Sequence, residues 1–145
     1  TEDSVVIHGI RHTDLSSAPD LEVIMEDILT FLRGKIAVVH YRTIEREFLN
    51  QALINRIGEG ILFPLIDTMD LEAKIHSHYY SGVLKRVFAR RKRVSLRLAA
   101  CRERYGLPMY TPHHALVDAL ATAELFQAQL AHHFSPADPI KKFWC

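Results

Sequence analysis

Apolar residues recur at helical spacing in "APDLEVIMEDILTFLRGK", where Leu21, Ile24, Ile28 and Leu32 fall on one face. Pro19 suits the first turn of this helix and Gly34 its exit. The period then changes. "KIAVVH" is a short apolar run rich in β-branched residues and bounded by Gly34, which predicts a buried, parallel strand. "TIEREFLNQALINRI" returns to the helical period, with Ile44, Phe48, Leu53 and Ile57 on roughly one side and Gly58 and Gly60 closing it. "ILFPLID" predicts a second strand, and Pro64 makes it an edge strand or an irregular one. "TMDLEAKIHSHYY" predicts a helix with Thr68 as candidate cap. "VSLRLAACRERYGLP" predicts another, with Leu96, Leu98 and Cys101 inward and Gly106 at its C-terminal end. Thr111 and Pro112 then have the form of an N-cap and first helical position for "HHALVDALATAELFQAQLAHHF". Alternating strand and helix predict an α/β fold, and two or three strands are few for such a sheet.

The chain has 145 residues, enough for one domain with a core of its own, and residues 1–145 are read as that domain. No apolar run approaches the ~20 residues of a membrane span, so no membrane partner is expected. The first residues lack the pattern of a secretory leader. Because the chain starts at Thr1 rather than Met, an upstream segment is expected to have been removed or to be missing. Cys101 and Cys145 are too few for a disulfide framework and read as free thiols of a reducing cytoplasm.

The net charge of +1 conceals a segregation. Between Lys85 and Arg104 lie nine of the 18 basic residues and one acid, Glu103. A polyanion beside this stretch would explain that imbalance, as would a solvated helix face.

Three sets of residues have chemical potential. His113, His114 and Asp118 open the last helix, and the four-residue rule alone would pair His114 with Asp118. His40 and Glu45 lie just past the C-terminal end of the first strand, the edge where open α/β sheets bind ligands. Glu45 would equally suit a helix N-terminus on dipole grounds alone. Asp67, at the exit of the second strand, reads first as the cap of the helix after it.

Taken in order, "GKIAVVHYRTIEREFL", "FPLIDTMDLEAKI" and "RYGLPMYTPHHALVDALATAELF" resemble the DEDDh (DnaQ-like) 3′–5′ exonucleases of the RNase H-like superfamily. The similarity begins at "VVIHGIRHTDLSSAP", which looks like the family's His-Gly-Ile loop. In the family a histidine stands five residues before an aspartate in the last motif, which selects His113 with Asp118 and leaves His114 at a variable place. The resemblance implies His113 as the general base on the attacking water and Asp118 as a metal ligand. Glu45 stands where the family's second motif, His-Asn-Ala-x-Phe-Asp, has aspartate. Here that motif reads His40-Tyr41-Arg42-Thr43-Ile44-Glu45, and Glu45 is expected to face the metals. His40 and Asp67 become supporting residues.

The implied chemistry is consistent. Two Mg²⁺ or Mn²⁺ ions ~3.5–4 Å apart stabilise the attacking and leaving oxygens of a phosphodiester, and carboxylates are the hard ligands they prefer. An imidazole, with an ordinary pKa near ~6.5, accepts a proton at neutral pH. The basic stretch 85–104, with Lys85, Arg86, Arg90, Arg91, Lys92 and Arg93 named first, would hold the strand's phosphates, each neutralised phosphate contributing a salt slope of roughly −0.7 on single strands. Tyr79, Tyr80 and Phe88 are candidates for stacking on bases, with core packing the alternative for Phe88.

One departure matters. The family's first motif is an Asp-x-Glu pair on the first strand. The only acids near the start, Glu2 and Asp3, directly precede the His-Gly-Ile loop. The expectation is therefore an RNase H-like fold truncated at its N-terminus, lacking the antiparallel strands that carry that motif. Its open edge would favour a homodimer or a completing N-terminal peptide. The implied activity is release of mononucleotides from a DNA or RNA 3′ end, in proofreading or repair, with a polymerase or another domain as a further partner. The alternative is a non-catalytic nucleic-acid-binding or subunit-interaction module. A different metal phosphohydrolase ranks last, since neither an adjacent His-Asp pair nor zinc-type Cys/His spacing is present.

Overall fold

The computed structural model describes residues 9–79 and 94–144, with backbone alone at residues 12 and 77–79. Its elements run α1 (His12–Leu15), α2 (Leu21–Leu32), β1 (Ala37–Val39), α3 (Arg42–Ile57), β2 (Leu65–Asp67), α4 (Thr68–Tyr79), α5 (Leu98–Arg104), α6 (Ala115–His133) and a 3₁₀ turn, Ile140–Phe143. The protein is thus mixed α/β and mostly helical, with a small sheet of two parallel strands. β1 pairs with β2 in the register Ala37 to Leu65, Val38 to Ile66 and Val39 to Asp67. Among the described residues no helix is long and apolar enough to cross a membrane.

Burial of the two strands is the reverse of the expectation. β2 is fully buried, whereas β1 is only half-buried. Pro64 does not disturb β2 because it precedes the strand, and there it needs no N–H; its carbonyl accepts the Ala37 N–H at 3.0 Å. The far side of β2 is met by Trp144 in an antiparallel bridge to Ile66. β1 has β2 as its only strand neighbour among the described residues. Ile66, Leu71 and Phe143 form the core, and Phe143 meets Phe134 edge to face at 4.8 Å.

Three helices depart from the sequence pattern. In α3 only Leu53 is buried; Ile44, Phe48 and Ile57 are each at least 60% exposed, because nothing described covers that side. Helix α5 begins at Leu98 rather than near Val94, since the preceding segment spends its carbonyls on side chains. Leu96 O accepts from His40 and Ser95 O from Arg104. Helix α6 starts at Ala115, four residues past the expected cap at Thr111. His113 has φ +71°, a left-handed conformation that no helix continues. Gly34 and Gly106 do stand past the ends of α2 and α5, at φ +69° and +65°, where a side chain would be strained. Cys101 is a buried free thiol, pushed up to about 11 by burial, and is therefore unreactive.

Helices α4, α5 and α6 are joined by Glu72, which is fully buried. Its Oε1 accepts from Arg104 Nε at 2.9 Å and lies 3.0 Å from His76 Nε2. Its Oε2 accepts from the Tyr105 hydroxyl at 2.9 Å and from Gln129 Nε2 at 2.8 Å. Burial, the largest influence, pushes this carboxyl's pKa up. The hydrogen bonds from Gln129, Tyr105 and Arg104 outweigh it, and the net displacement is downward. A depressed folded-state pKa supplies stability above the unfolded value near 4.5, and that stability is lost as pH falls through the folded value. Glu72→Ala should therefore cost about 3–5 kcal/mol of urea unfolding free energy at pH 7, because it takes from Arg104, Tyr105 and Gln129 the acceptor they share. The difference between variant and parent should narrow in acid. A cost below about 1 kcal/mol at pH 7 would mean that the network is dispensable.

Candidate active site

The C-terminal end of β1 opens on a cavity of about 950 Å³. Ligands of open α/β sheets bind at this edge. Glu45, His40, His113, Asp118, Arg97 and Tyr110 are among the residues lining it. Three helix starts, the end of β1 and the loop before α6 deliver these side chains, and two framework side chains, Asp67 and His40, hold the starts of α3 and α5.

Asp67, buried at the end of β2, sets the first. Its Oδ1 accepts the N–H groups of Tyr41 at 3.0 Å and Met69 at 2.9 Å, and its Oδ2 accepts that of Arg42 at 2.8 Å. It thus caps its own helix α4, as expected, and also the neighbouring α3. Thr68, the expected cap, is the first residue of α4 and faces inward. Tyr41 pivots at φ +79° to bring the chain out of β1 and into α3. Glu45, in the first turn of α3, is thereby turned toward the cavity.

Glu45 is half-buried, and its Oε2 is sealed from solvent with no hydrogen-bond partner. Its carboxyl is held above the usual glutamate range, first by burial and also by the Asp67 charge, against a lowering from its own backbone N–H. A desolvated carboxylate oxygen without a donor suits a bound cation.

His40 sets the second boundary. Nε2 lies 2.9 Å from the Leu96 carbonyl, which can only accept, so Nε2 carries the proton. Nδ1 lies 2.8 Å from the Thr68 hydroxyl, and that hydroxyl is also 3.0 Å from Val39 O. Burial, offset in part by the Leu96 bond and the charges of Asp67 and Glu72, lowers the imidazole pKa. The neutral ring accepts the one Thr68 proton in competition with Val39 O. His40 therefore fastens the end of β1 to the segment leading into α5.

Asp118 lies in the first turn of α6, and its Oδ2 accepts the His113 N–H at 3.0 Å. The contact is made with His113 backbone, not with the His114 ring as the four-residue rule suggested. His114 is the N-cap of α6, its carbonyl accepting Asp118 N–H at 2.8 Å. Oδ1 of Asp118 is uncommitted among the described residues. The His113 side chain is exposed at the cavity wall.

The cavity therefore gathers Glu45, His113 and Asp118 from two segments 68 residues apart in the chain. Among the described residues no three His, Cys, Asp or Glu side chains converge as a metal cluster. Glu2, Asp3, Lys85, Arg86, Arg90, Arg91, Lys92, Arg93, Tyr80 and Phe88, with the side chain of Tyr79, lie outside the described residues.

A family model described as an exonuclease of the RNase T type matches residues 1–126. The chain belongs to that family. It is a DnaQ-like, RNase H-like exonuclease domain. Among curated proteins, the DNA polymerase III subunit epsilon of Aquifex aeolicus (strain VF5) is 29% identical over 118 residues. That match covers 81% of this chain and 52% of the relative, so the chain spans about half the length of the curated protein it matches.

Sequence reasoning missed Arg97 and Tyr110 as cavity residues, and Glu72, Arg102 and Gln129 as the polar framework. Their positions depend on long-range packing. The local signal was slight: Gln129 lies on the inward face of α6, and Arg102 on that of α5.

Glu45 yields a stability test with a defined sign. Its folded-state carboxyl holds a proton more tightly than the unfolded one, so the ionised form opposes folding above the ordinary value near 4.5. Glu45→Gln should thus raise the urea unfolding free energy at pH 7 by about 0.5–1 kcal/mol, with a smaller gain at pH 4. A loss at pH 7 would mark Glu45 as a structural acceptor rather than a side chain held ready for a ligand.

Proposed function

We propose that this exonuclease domain hydrolyses phosphodiester bonds of single-stranded DNA or RNA from the 3′ end, releases mononucleotides and depends on Mg²⁺ or Mn²⁺. The observation that carries this reading is the unpartnered Glu45 carboxylate in a cavity it shares with Asp118 and His113. Glu45 and Asp118 would hold the metal side of the site. Bound there, divalent cations would acidify the attacking water and neutralise charge developing on the phosphate oxygens. His113, exposed on the opposite segment, takes the water proton. Asp118 orients His113 through the backbone bond to its N–H. His40 and Asp67 act by position, fixing the segment before α5 and the start of α3.

Two carboxylates do not complete a two-metal site. The edge of β1 away from β2 has no strand neighbour among the described residues, and the adjoining face of α3 exposes Ile44 and Phe48. Both features support a further β-segment carrying the remaining acids, from an N-terminal peptide of the same protein; a second copy would cover the edge without supplying them. The curated relative is a polymerase subunit by name, which supports a polymerase as partner and proofreading as the setting. The second reading is a binding module without turnover, favoured by the lack of a metal cluster among the described residues.

Release of mononucleotides from a 3′-labelled single strand in Mn²⁺ separates the two. The exonuclease reading predicts product from the parent and a loss of about 10²–10⁴-fold in His113→Ala. Strand binding with no product from the parent, and none when the N-terminal segment is supplied, would leave the binding module.

A further inference from the structure

Arg97 belongs to the basic stretch 85–104, but no individual role has been assigned to it so far. It lines the same cavity as Glu45 and Asp118. Other arginines of this region are committed. Arg102 pairs with Glu124 at 2.7 Å, Arg104 with Glu72 at 2.9 Å, and Arg42 with Asp70. The Arg97 guanidinium has neither a carboxylate nor a carbonyl partner among the described residues, although two carboxylates face the same space. The cation thus lines the cavity without pairing with either acid.

The backbone beneath Arg97 is held firmly. As N-cap of α5 its carbonyl accepts the Cys101 N–H at 2.9 Å. The carbonyl of its neighbour Leu96 is fastened to the end of β1 by His40. The base of this side chain is thus fixed relative to the strand that leads to Glu45, while its head is unpaired among the described residues. A cavity lined by two carboxylates and by a guanidinium that pairs with neither suits a ligand that is anionic yet arrives beside cations. A phosphodiester is such a ligand, since guanidinium presents paired donors to its non-bridging oxygens.

We infer that Arg97 is a phosphate-positioning residue of this site, contacting a backbone phosphate at the 3′ end of the bound strand. The inference rests on the exonuclease reading and names the group that grips its substrate. Arg97 sets where the strand lies; the proton and metal chemistry belong to other residues.

The test is the affinity of the whole chain for a 5′-fluorescein oligothymidylate with a free 3′ end. It is followed by anisotropy in EDTA over a series of salt concentrations, so that turnover and metal loading play no part. Arg97→Ala should weaken binding by about tenfold and reduce the magnitude of the log–log salt slope by about 0.7, the share of one phosphate. Arg97→Lys should keep the parent's slope while recovering only part of the affinity, because it restores charge without the fork. A merely structural arginine would not move the slope. Since the side chain is exposed, thermal unfolding of all variants should match the parent; should Arg97→Ala fail to fold, Arg97→Gln takes its place. Parent binding with an unchanged affinity and slope in the variant would overturn the inference alone. A parent that binds no strand would overturn the inference together with the reading on which it rests.

Discussion

Glu72 is a charged side chain with no access to water, and it survives there because four donors from three helices converge on its two oxygens. Helices α4, α5 and α6 cannot slide relative to one another without breaking at least one of those bonds. This constraint adds to apolar burial, since many large apolar residues among those described are exposed. The site inherits its geometry from that lock. Asp118 stands at the start of α6, Arg97 at the start of α5, and Asp67 immediately before α4.

A second tier of polar contacts carries the lock to the cavity. Asp67 gathers the starts of α3 and α4 on one carboxylate, and His40 joins the end of β1 to the carbonyl before α5. Arg102 binds the Ala121 and Pro108 carbonyls at 2.7 and 3.0 Å, which fixes the loop between α5 and α6 and, through it, the approach to His113. Against this framework Glu45 stands out as the one described carboxylate with a buried oxygen and no partner. Proteins keep such costs at functional sites, where a ligand supplies the missing interaction.

Much of this was legible in the chain. Short β-branched runs identified both strands, because a parallel strand between helices is written as a continuous apolar stretch. The histidine five residues before Asp118, read through the family resemblance, selected the residue whose N–H the Asp118 carboxylate accepts. Other features were written elsewhere than in local pattern. The start of α6 moved because a left-handed backbone at His113, held by Asp118, overrode the Thr-Pro signal. The exposure of Phe48 was invisible because helical period reports which side is apolar, not whether anything covers it. The Glu72 network and Arg97 depend on contacts between residues far apart in sequence, which no spacing rule encodes.

The central claim is that Glu45 and Asp118 serve one cation-binding site beside His113. Adding substoichiometric Mn²⁺ to the isotopically labelled protein and mapping the paramagnetic broadening of backbone amides tests it most directly. The account predicts broadening centred on residues 44–46 and 113–119, abolished by Asp118→Asn. Broadening confined to exposed acids such as Asp14 and Glu22, with both of those segments untouched, would contradict it.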